Sequence, residues 1–258
     1  MGGAALIAVG VAALCASLAT ALAAETAPGG MVSLPAGLYH PFLHVSAPNA
    51  SGDETARIRR VEAFRLDAEP VTNAEFLAFV AAHPQWRKSR IKALFADERY
   101  LGRWPSDLAL ADQAARDEPV TNVSWFAAEA YCKSKGLRLP TTEQWEYALA
   151  DAGRGQSEIR ERSLEWFAEP NAARPAAVGA SPANGFGLRD MVGLVWEWTL
   201  DFDAYAISAD GAFACSGAAA RAADTSDYPA FMRYSMRQSL KANYTADNLG
   251  FRCAGGAP

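Results

Sequence analysis

The first clear pattern along the chain is a helical spacing of apolar residues that follows residue 72. The apolar positions are Phe76, Phe79 and Val80, which make one face of a helix. Thr72 or Asn73 precedes them, and either side chain can accept a hydrogen bond from the first helical turn. Pro84 disfavours continuation because it has no backbone donor. The pattern predicts a helix that begins after Thr72 or Asn73 and ends at Pro84.

A second helix is predicted over Trp125 to Lys135. Ser124 stands directly before it and is a favoured capping residue. Gly136 stands directly after it, where helices commonly end in a left-handed residue that glycine adopts at low cost. This segment therefore has both a start signal and a stop signal.

A third helix is predicted to begin after Thr141. Thr141 and Gln144 have the spacing of a capping box, in which each side chain bonds the backbone of the other residue. The helix continues through Trp145–Leu149. We expect Trp145 and Tyr147 to pack in the core, since large aromatic residues at helical spacing usually do so.

Alternating apolar and polar residues predict short strands elsewhere. Residues 61–66 alternate, and a short apolar run at 177–179 predicts a second strand. Residues 25–60 predict an exposed lead-in followed by edge strands. Residues 85–117 have no clean period and predict an irregular surface excursion, where specificity peculiar to this protein could be located. The fold class expected from these patterns is α+β, with two or three helices and much irregular structure.

A dense stretch of tryptophan and glycine surrounds one carboxylate, that of Glu197. Trp196 and Trp198 alternate with Glu197, which predicts a short strand with both indoles on one face. The preceding glycines, at positions 185, 187 and 193, indicate turns. Glu197 would then point toward the backbone carbonyls of residues 192–195, a combination that suits calcium. The alternative is an exposed or salt-bridged glutamate, and the residues alone leave both open.

Composition narrows the class of protein. The chain has 258 residues, of which 50% are hydrophobic and 21% charged, as in an ordinary globular protein. Its net charge of −5 argues against nucleic acid as a partner.

Residues 1–24 are predicted to be a signal peptide. Positions 4–24 carry no charge, and Ala21-Leu22-Ala23 fits a cleavage site. The alternative is an uncleaved membrane anchor, because the stretch is just long enough to cross a bilayer. With a cleaved leader we expect a periplasmic or secreted protein without stable membrane insertion. The leader's removal leaves Cys132, Cys215 and Cys253, of which two can pair in an oxidising compartment and one is left over.

Short motifs distributed along the chain resemble those of the formylglycine-generating, sulfatase-modifying-factor family. The motifs are NGFGL at 184–188, MVGLVWEW at 191–198, NLGFRC at 248–253, VSW at 123–125, AYC at 130–132, RLPT at 138–141 with EQWEYA at 143–148, MV at 31–32 with PAG at 35–37, and PVTNAEF at 70–76. They occur in the family's order. The resemblance implies a single domain over residues 25–258, with a C-type-lectin-like fold.

The resemblance also implies a disulfide and a calcium site. In the family the cysteine of AYC pairs with that of the closing motif, which here means Cys132 and Cys253. Calcium in the family is held by the glutamate of WEW and by preceding backbone carbonyls, which here means Glu197, Gly193 and Val195. Leu194 stands where the family has an asparagine, so one side-chain oxygen is missing.

The family's redox site departs from the pattern in this chain. Formylglycine-generating enzymes bind copper with two cysteines just before the closing motif, and thiolates are the soft ligands that Cu(I) requires. Residues 231–240 contain no cysteine. Ser235 and Ser239 lie in that stretch, but a hydroxyl cannot replace a thiolate on Cu(I). The ordinary formylglycine reaction is therefore expected to be absent.

A second branch of the family uses a histidine triad on non-haem iron. This chain has only His40, His44 and His83, all in its first third. His40 and His44 flank Pro41 in a predicted strand or loop, and we interpret all three as surface residues. The iron branch is therefore disfavoured, and whether copper, iron or neither serves this protein stays unknown.

Candidate functional residues cluster near the lost cysteine site. Cys215 is the remaining thiol, and a nucleophile, a soft-metal ligand and an inert buried cysteine are all open alternatives. The candidate catalytic residues are Cys215, Ser235 and Arg237; the candidate substrate-binding residues are Trp196, Arg233, Tyr234 and Asn243. With Lys241, the two arginines could line a groove for an acidic partner, although their spacing also describes one solvated helix face.

The leading functional hypothesis is an exported maturation or accessory factor that binds a periplasmic protein or peptide client. We expect it to act as a monomer. The alternatives are a metal-dependent oxidase with a site rearranged around Cys215, which would be an oxidoreductase of the formylglycine-generating type, and a non-catalytic lectin-like binding module. Fold-level resemblance does not choose between them.

Overall fold

The computed structural model describes residues 30–39, 58–151, 175–203 and 240–257, together with the isolated positions 161 and 165. The helices are α1 (Asn73–Ala82), α2 (Trp125–Ser134) and α3 (Thr142–Ala150). The strands are β1 (Met31–Leu34), β2 (Gly37–Tyr39), β3 (Arg59–Val61), β4 (Phe64–Asp67), β5 (Trp196–Glu197), β6 (Leu249–Gly250) and β7 (Ala254–Gly256). Short 3-10 helices lie at Pro84–Trp86 and Ala114–Asp117. The predicted α+β class is confirmed.

The strands form three small sheets. β4 is the central strand of an antiparallel sheet, between β1 and β7. β2 pairs with β3 in a second antiparallel sheet, and β5 pairs with β6 in parallel. The last strands of the chain therefore pair with strands from its beginning and from the WEW block.

The predicted strand over residues 61–66 is wrong in its continuity. The chain forms two strands there, β3 and β4, which belong to different sheets. Val61, Phe64 and Leu66 are the buried residues, so the alternation changes phase between Val61 and Phe64. The segment passes from one sheet to the other at Glu62 and Ala63, and a continuous strand would have buried Ala63 and exposed Phe64.

The predicted strand at residues 177–179 is also wrong. Val178 and Gly179 form a turn, in which Gly179 has a φ of +79° that glycine adopts without steric cost. The amide of Gly179 donates to the Asp190 carboxylate, and the amide of Val178 donates to the carbonyl of Asp117 at 2.8 Å. These contacts are to a 3-10 helix and to a loop, and the apolar run pairs with none of the described strands.

Helix α1 begins and ends as its sequence signals predict. Thr72 caps it, with a full capping box: the Glu75 amide donates to Thr72 Oγ1 at 3.2 Å and the Thr72 amide donates to the Glu75 carboxylate at 2.8 Å. The helix ends before Pro84. Its predicted apolar residues are buried; they are Phe76, Phe79 and Val80.

Helix α2 is confirmed to within one residue. Ser124 caps its start, and the helix ends at Ser134, with Lys135 as the capping residue. Gly136 follows with a φ of +71°, the left-handed conformation expected of it. Cys132 on this helix forms the predicted disulfide with Cys253.

Helix α3 has the predicted capping box between Thr141 and Gln144. Trp145 and Tyr147 are buried, as expected, and Tyr147 donates to the carbonyl of Pro35 at 3.0 Å. Asp151 ends the helix in a left-handed conformation with a φ of +48°.

Residues 85–117 are irregular as predicted, but they are not confined to the surface. Ala96, Tyr100, Leu101 and Trp104 are buried in the core beside α1 and α2. The Trp104 indole donates to the side-chain oxygen of Asn73 at 2.9 Å. Much of this segment is therefore a structural part of the domain.

Buried residues form two cores. The first surrounds α1 and α2 and includes the aromatic residues of the closing motif and of the segment 85–117. The second lies between the β1-β4-β7 sheet and α3. β4 contributes to the second core, whereas β5 and the closing motif pack in the first, and the site described below joins them.

The predicted leader, residues 1–24, lies outside the described residues. Among the residues that are described, no helix combines the length and the apolar character needed to cross a membrane. Leader cleavage, the alternative anchor and export stay predictions.

Candidate functional site

The parallel pairing of β5 and β6 joins the WEW block to the closing motif. Trp196 lies opposite Leu249, and Glu197 lies opposite Gly250. Trp198 is buried, and its indole donates to the carbonyl of Val123 at 2.9 Å. Trp196 is partly buried against the same core. The predicted strand is confirmed over Trp196–Glu197; Trp198 lies just beyond it, and both indoles pack toward one core.

Glu197 forms a buried ion pair with Arg252. The Arg252 Nε atom lies 3.0 and 2.8 Å from the two carboxylate oxygens, and Nη2 lies 2.8 Å from Oε1. The side chains are 1% and 0% exposed, respectively. The Trp145 indole adds a donor 2.8 Å from Oε2. A charged pair this deep is tolerable only because the two charges and the added hydrogen bond compensate for lost hydration.

The remaining donors of Arg252 bind backbone carbonyls from two loops. Nη1 donates to the carbonyls of Asp67 and Ala68 at 3.2 and 3.1 Å, and Nη2 donates to the carbonyl of Arg189 at 2.9 Å. One guanidinium thus fixes the end of β4, the loop before β5 and β5 itself. Sequence reasoning missed this role, although Arg252 belongs to the conspicuous closing motif.

The calcium predicted at Glu197 does not fit the carboxylate in this geometry. A carboxylate has about four lone-pair positions. Oε1 accepts from two Arg252 nitrogens, and Oε2 accepts from Arg252 and from Trp145. The salt-bridged alternative therefore describes Glu197. A calcium held by the backbone carbonyls of Gly193 and Val195 stays a prediction.

Asp67 is a second titratable group beside this centre. Its Oδ2 accepts from the Cys253 amide at 2.8 Å, which connects β4 to the disulfide. Burial raises the pKa of Asp67 to about 6, against the lowering effects of that hydrogen bond and of the Arg252 charge. Its proton affinity is thus unlike that of an ordinary aspartate. The sequence carried no signal for this, because the burial comes from distant segments.

The loop before β5 is a turn system organised by Asn184. Its Oδ1 accepts from the amides of Phe186 and Leu188, at 3.1 and 3.0 Å, and its Nδ2 donates to the carbonyl of Ala148 at 2.9 Å. Gly187 and Gly193 have φ values of +93° and +95°, so the expectation of glycine-dependent turns is confirmed at both. The loop presents backbone toward β5 and α3.

Glu69 and Asp190 form a pair of neighbouring carboxylates beside this loop. Asp190 accepts from the amides of Gly179 and, at 3.0 Å, Ser181. Burial and the nearby Asp190 charge raise the pKa of Glu69. Within the described residues, no group of three histidine, cysteine, aspartate or glutamate side chains is placed to hold a metal ion.

Most of the predicted chemistry falls outside the described residues. These positions are Cys215, Arg233, Tyr234, Ser235 and Arg237, together with His40 and His44. Their assignments stay predictions. The stretch 231–240 contains no cysteine, so its residues do not fit copper held by two thiolates.

The described flank of that stretch contacts the segment 85–117. Asn243 accepts from the Asp97 amide at 2.8 Å through its carbonyl, and its Nδ2 lies 3.4 Å from the carbonyl of Ala93. Lys241 is exposed. Sequence reasoning placed Asn243 in a groove with the arginines, and gave no signal that residues 93–97 adjoin it.

His83, the one described histidine, has a local partner. Its Nδ1 lies 3.0 Å from the carbonyl of Phe79, and its ring stacks on that of Phe79 with centroids 4.7 Å apart. Nδ1 of His83 is therefore engaged with the last turn of α1.

Comparison with known proteins relates the whole chain to one family. Residues 19–257 match the sulfatase-modifying factor enzyme 1-like domain. The inactive C-alpha-formylglycine-generating enzyme 2 of Bos taurus is 30% identical over 88% of this chain and 88% of its own length. The formylglycine-generating enzyme of Bos taurus is 29% identical over 88% of this chain and 75% of its length. The hercynine oxygenase of Mycobacterium tuberculosis is 34% identical, over 57% of this chain and 40% of its own.

Solved structures share the fold. The crystal structure of CarF covers 90% of this chain and 99% of its own, with a TM-score of 0.51 and 15% identity. The structure of PvdO from Pseudomonas aeruginosa covers 88% and 94%, with a TM-score of 0.50 and 19% identity. At these identities the likeness extends to the fold alone.

Proposed function

We propose a function from the premise that this chain belongs to the sulfatase-modifying factor enzyme 1-like domain family, as its match over residues 19–257 and its 30% identity to one relative establish. The proposed function is that of an exported accessory or maturation factor. It binds a protein or peptide client and works without the copper–cysteine site that the family resemblance implied.

The observation that carries this proposal is the absence of cysteine from residues 231–240. Cu(I) requires soft ligands, and the serines present there supply hard, weakly acidic hydroxyls. One similar relative has a name that calls it inactive, which is consistent with a fold that persists in the family without the oxidation. Client binding is the part of the family's work that does not need the thiolates.

The buried centre supports the same proposal. All hydrogen-bonding positions of the Glu197 carboxylate are filled by Arg252 and Trp145. The remaining N–H groups of Arg252 donate to backbone carbonyls. A centre whose polar groups are fully paired acts as a rigid support for a binding surface, since none of them is available to a reacting molecule.

An oxidase with a rearranged site is the second candidate. The observation that favours it is Cys215, the cysteine that remains after the leader and the Cys132–Cys253 disulfide are set aside. An accessible thiolate would be a nucleophile and a soft-metal ligand. Such a protein would be an oxidoreductase of the formylglycine-generating type that uses copper or iron.

Metal and thiol analysis of the same sample separates the two candidates. Protein purified from the periplasm is assayed for copper, iron and calcium by mass spectrometry and for free thiols after denaturation. We expect one free thiol and no stoichiometric copper or iron. Copper or iron that is lost in Cys215→Ser, together with consumption of dioxygen in the presence of a thiol peptide, would establish the oxidase instead. The same assay measures any calcium bound.

Client binding is tested by crosslinking in living cells. A photoreactive amino acid is placed at Lys241, beside the candidate substrate-binding residues, and at Leu38, an exposed position on β2. We expect one discrete crosslinked polypeptide from position 241 and none from position 38. Equal, diffuse crosslinking at both positions would contradict a client-binding function.

A further inference from the structure

An exposed apolar surface lies beside Asn243. Leu94 is 72% exposed. Phe95 follows it and is partly buried, and its ring centroid lies 5.9 Å from that of Trp86 and 5.4 Å from that of Phe126. A single exposed leucine is ordinary, but this one directly precedes a phenylalanine whose ring packs with two further half-buried aromatic rings, and the apolar surface they make needs an explanation.

The segment that carries this patch is firmly held. The Asp97 amide donates to the carbonyl of Asn243 at 2.8 Å, and the Tyr100 hydroxyl donates to the carbonyl of Trp86 at 3.0 Å. The Asp97 carboxylate also accepts from the Thr245 amide at 3.1 Å. Ala96 is buried between these contacts. The exposure of Leu94 is therefore fixed by the fold, because its neighbours anchor the loop at both ends.

Basic residues border the apolar patch. Residues 86–92 include several cations and no acidic residue, in a chain whose net charge is −5. Arg87 and Lys88 bind backbone carbonyls, through Nε to Val80 at 3.2 Å and through Nζ to Trp104 at 2.8 Å. These two side chains are therefore already engaged in hydrogen bonds within the fold.

Two exposed lysines remain beside the patch, Lys92 and Lys241. Lys92 precedes Ala93, whose carbonyl faces Asn243, and Lys241 lies in the same turn as Asn243. Within the described residues, neither lysine forms an ion pair. Arg90 is exposed as well, but the Asp107 carboxylate lies in its field and partly offsets its charge.

We propose that this surface binds a client segment in which acidic residues flank a large apolar side chain. The aromatic–basic surface consists of Trp86, Lys92, Leu94, Phe95, Phe126 and Lys241. The lysines complement carboxylates, and burying Leu94 with its aromatic neighbours supplies the hydrophobic gain. This inference rests on the proposed function, and it names the chemistry of the client.

Fluorescence anisotropy with synthetic peptides tests the inference on the full-length mature chain. The probe is a fluorescein-labelled peptide with a Trp-Leu centre flanked by glutamates; the matched peptides carry flanking lysines or an Ala-Ala centre. We expect the glutamate-flanked Trp-Leu peptide to bind at least about tenfold more tightly than either matched peptide. Its affinity should fall as salt is added, because the charge complementarity is screened.

Surface variants locate the binding. We expect Leu94→Ser to weaken binding of the probe about tenfold, and Lys92→Glu to weaken it about fivefold or more. The controls are Leu38→Ser and Arg60→Glu, which change similarly exposed residues on β2 and β3. The controls should bind the probe as the parent chain does. All four variants should keep the parent's thermal unfolding temperature.

Three outcomes of the peptide and stability measurements would overturn the inference. They are a probe that does not bind, a lysine-flanked peptide that binds equally well, and a loss of stability in Leu94→Ser as large as that of a core substitution. The last would mean that Leu94 is covered in the folded chain and is not available to a client. Undiminished crosslinking of the client at position 241 in Leu94→Ser and Lys92→Glu would reject this surface and leave the proposed function standing. Copper- or iron-dependent oxidation would reject the proposed function, whatever the peptides do.

Discussion

At the residue scale, the buried ion pair of Arg252 and Glu197 connects more segments of the fold than any other described ion pair. Their side chains are 0% and 1% exposed, and Arg252 also binds the carbonyls of Asp67, Ala68 and Arg189. Replacing one member leaves the other as a buried charge without compensation. We expect Glu197→Gln to lower the free energy of unfolding by about 3 to 5 kcal/mol, and Arg252→Met to lower it by more, since three carbonyls each also lose a hydrogen bond.

Urea denaturation of a double-mutant cycle measures this coupling. The double variant, Glu197→Gln with Arg252→Met, should be destabilised by less than the sum of the two single effects. Glu62→Gln is the control, because Glu62 pairs with Arg60 on the surface with side chains 79% and 65% exposed. Its effect should stay within about 0.5 kcal/mol. Additive losses in the cycle would mean that the buried pair is not coupled.

Asp67 predicts a dependence of stability on pH. Its pKa is raised from 3.8 to about 6 in the folded protein, so the folded chain binds this proton more tightly than the unfolded chain does. The free energy of unfolding should therefore fall as the pH rises from about 4 to about 6 and then level off. We expect Asp67→Asn to remove this slope and to be more stable than the parent by about 1 to 2 kcal/mol at pH 8.

Urea unfolding at several pH values between about 4 and about 8 tests whether Asp67 causes this dependence on pH. The asparagine keeps a side-chain oxygen for the Cys253 amide, so the comparison isolates the charge. Asp107→Asn is the control, since hydrogen bonds from Ser89 lower the pKa of Asp107 and its substitution should give no gain at pH 8. A parent-like slope in Asp67→Asn would show that another group is responsible.

The sequence could predict the kind of environment at Glu197 but not its partner. A lone glutamate between two tryptophans indicates either a cation site or a salt bridge, and the local sequence is compatible with both. The choice depends on Arg252, which is 55 residues away along the chain. The raised pKa of Asp67 likewise comes from segments that meet only in the fold.

At the scale of elements, local signals determined the helices. The three predicted helices each begin at a predicted capping side chain, because the acceptor and the amide that it satisfies are only three residues apart. We expect Thr141→Ala to lower the free energy of unfolding by about 1 kcal/mol, because the Gln144 amide loses its acceptor. Thr141→Ser, which keeps the hydroxyl, should cost only a few tenths of a kcal/mol. Thermal denaturation compares them, and equal losses would exclude the cap as the cause.

The strands were harder to predict because their partners are distant. The change of phase between Val61 and Phe64 arises where the chain leaves one sheet for another, and no residue there announces it. The apolar run at 177–179 had no partner strand to join, so it became a turn. A strand of two or three residues contains too few positions for alternation to distinguish it from a turn.

At the scale of the whole molecule, the Cys132–Cys253 disulfide closes a loop with a sequence separation of 121 residues. Constraining so long a loop in the unfolded chain should stabilise the fold by about 4 to 5 kcal/mol in the chain-entropy model. We therefore expect the variant with Cys132→Ala and Cys253→Ala to lose about that much of its free energy of unfolding in urea denaturation.

The mature parent should show one reactive thiol after denaturation, and Cys215→Ser should show none. More than one thiol in the parent would contradict the pairing.

The central position of β4 also sets the order in which the molecule can be completed. β4 is synthesised long before one of its two neighbours, β7, because the two strands are far apart in the sequence. Arg252 and Cys253 emerge at the same late stage. The nascent chain must therefore remain without a finished sheet until β7 is available, and closing contacts of such long sequence separation makes folding slow.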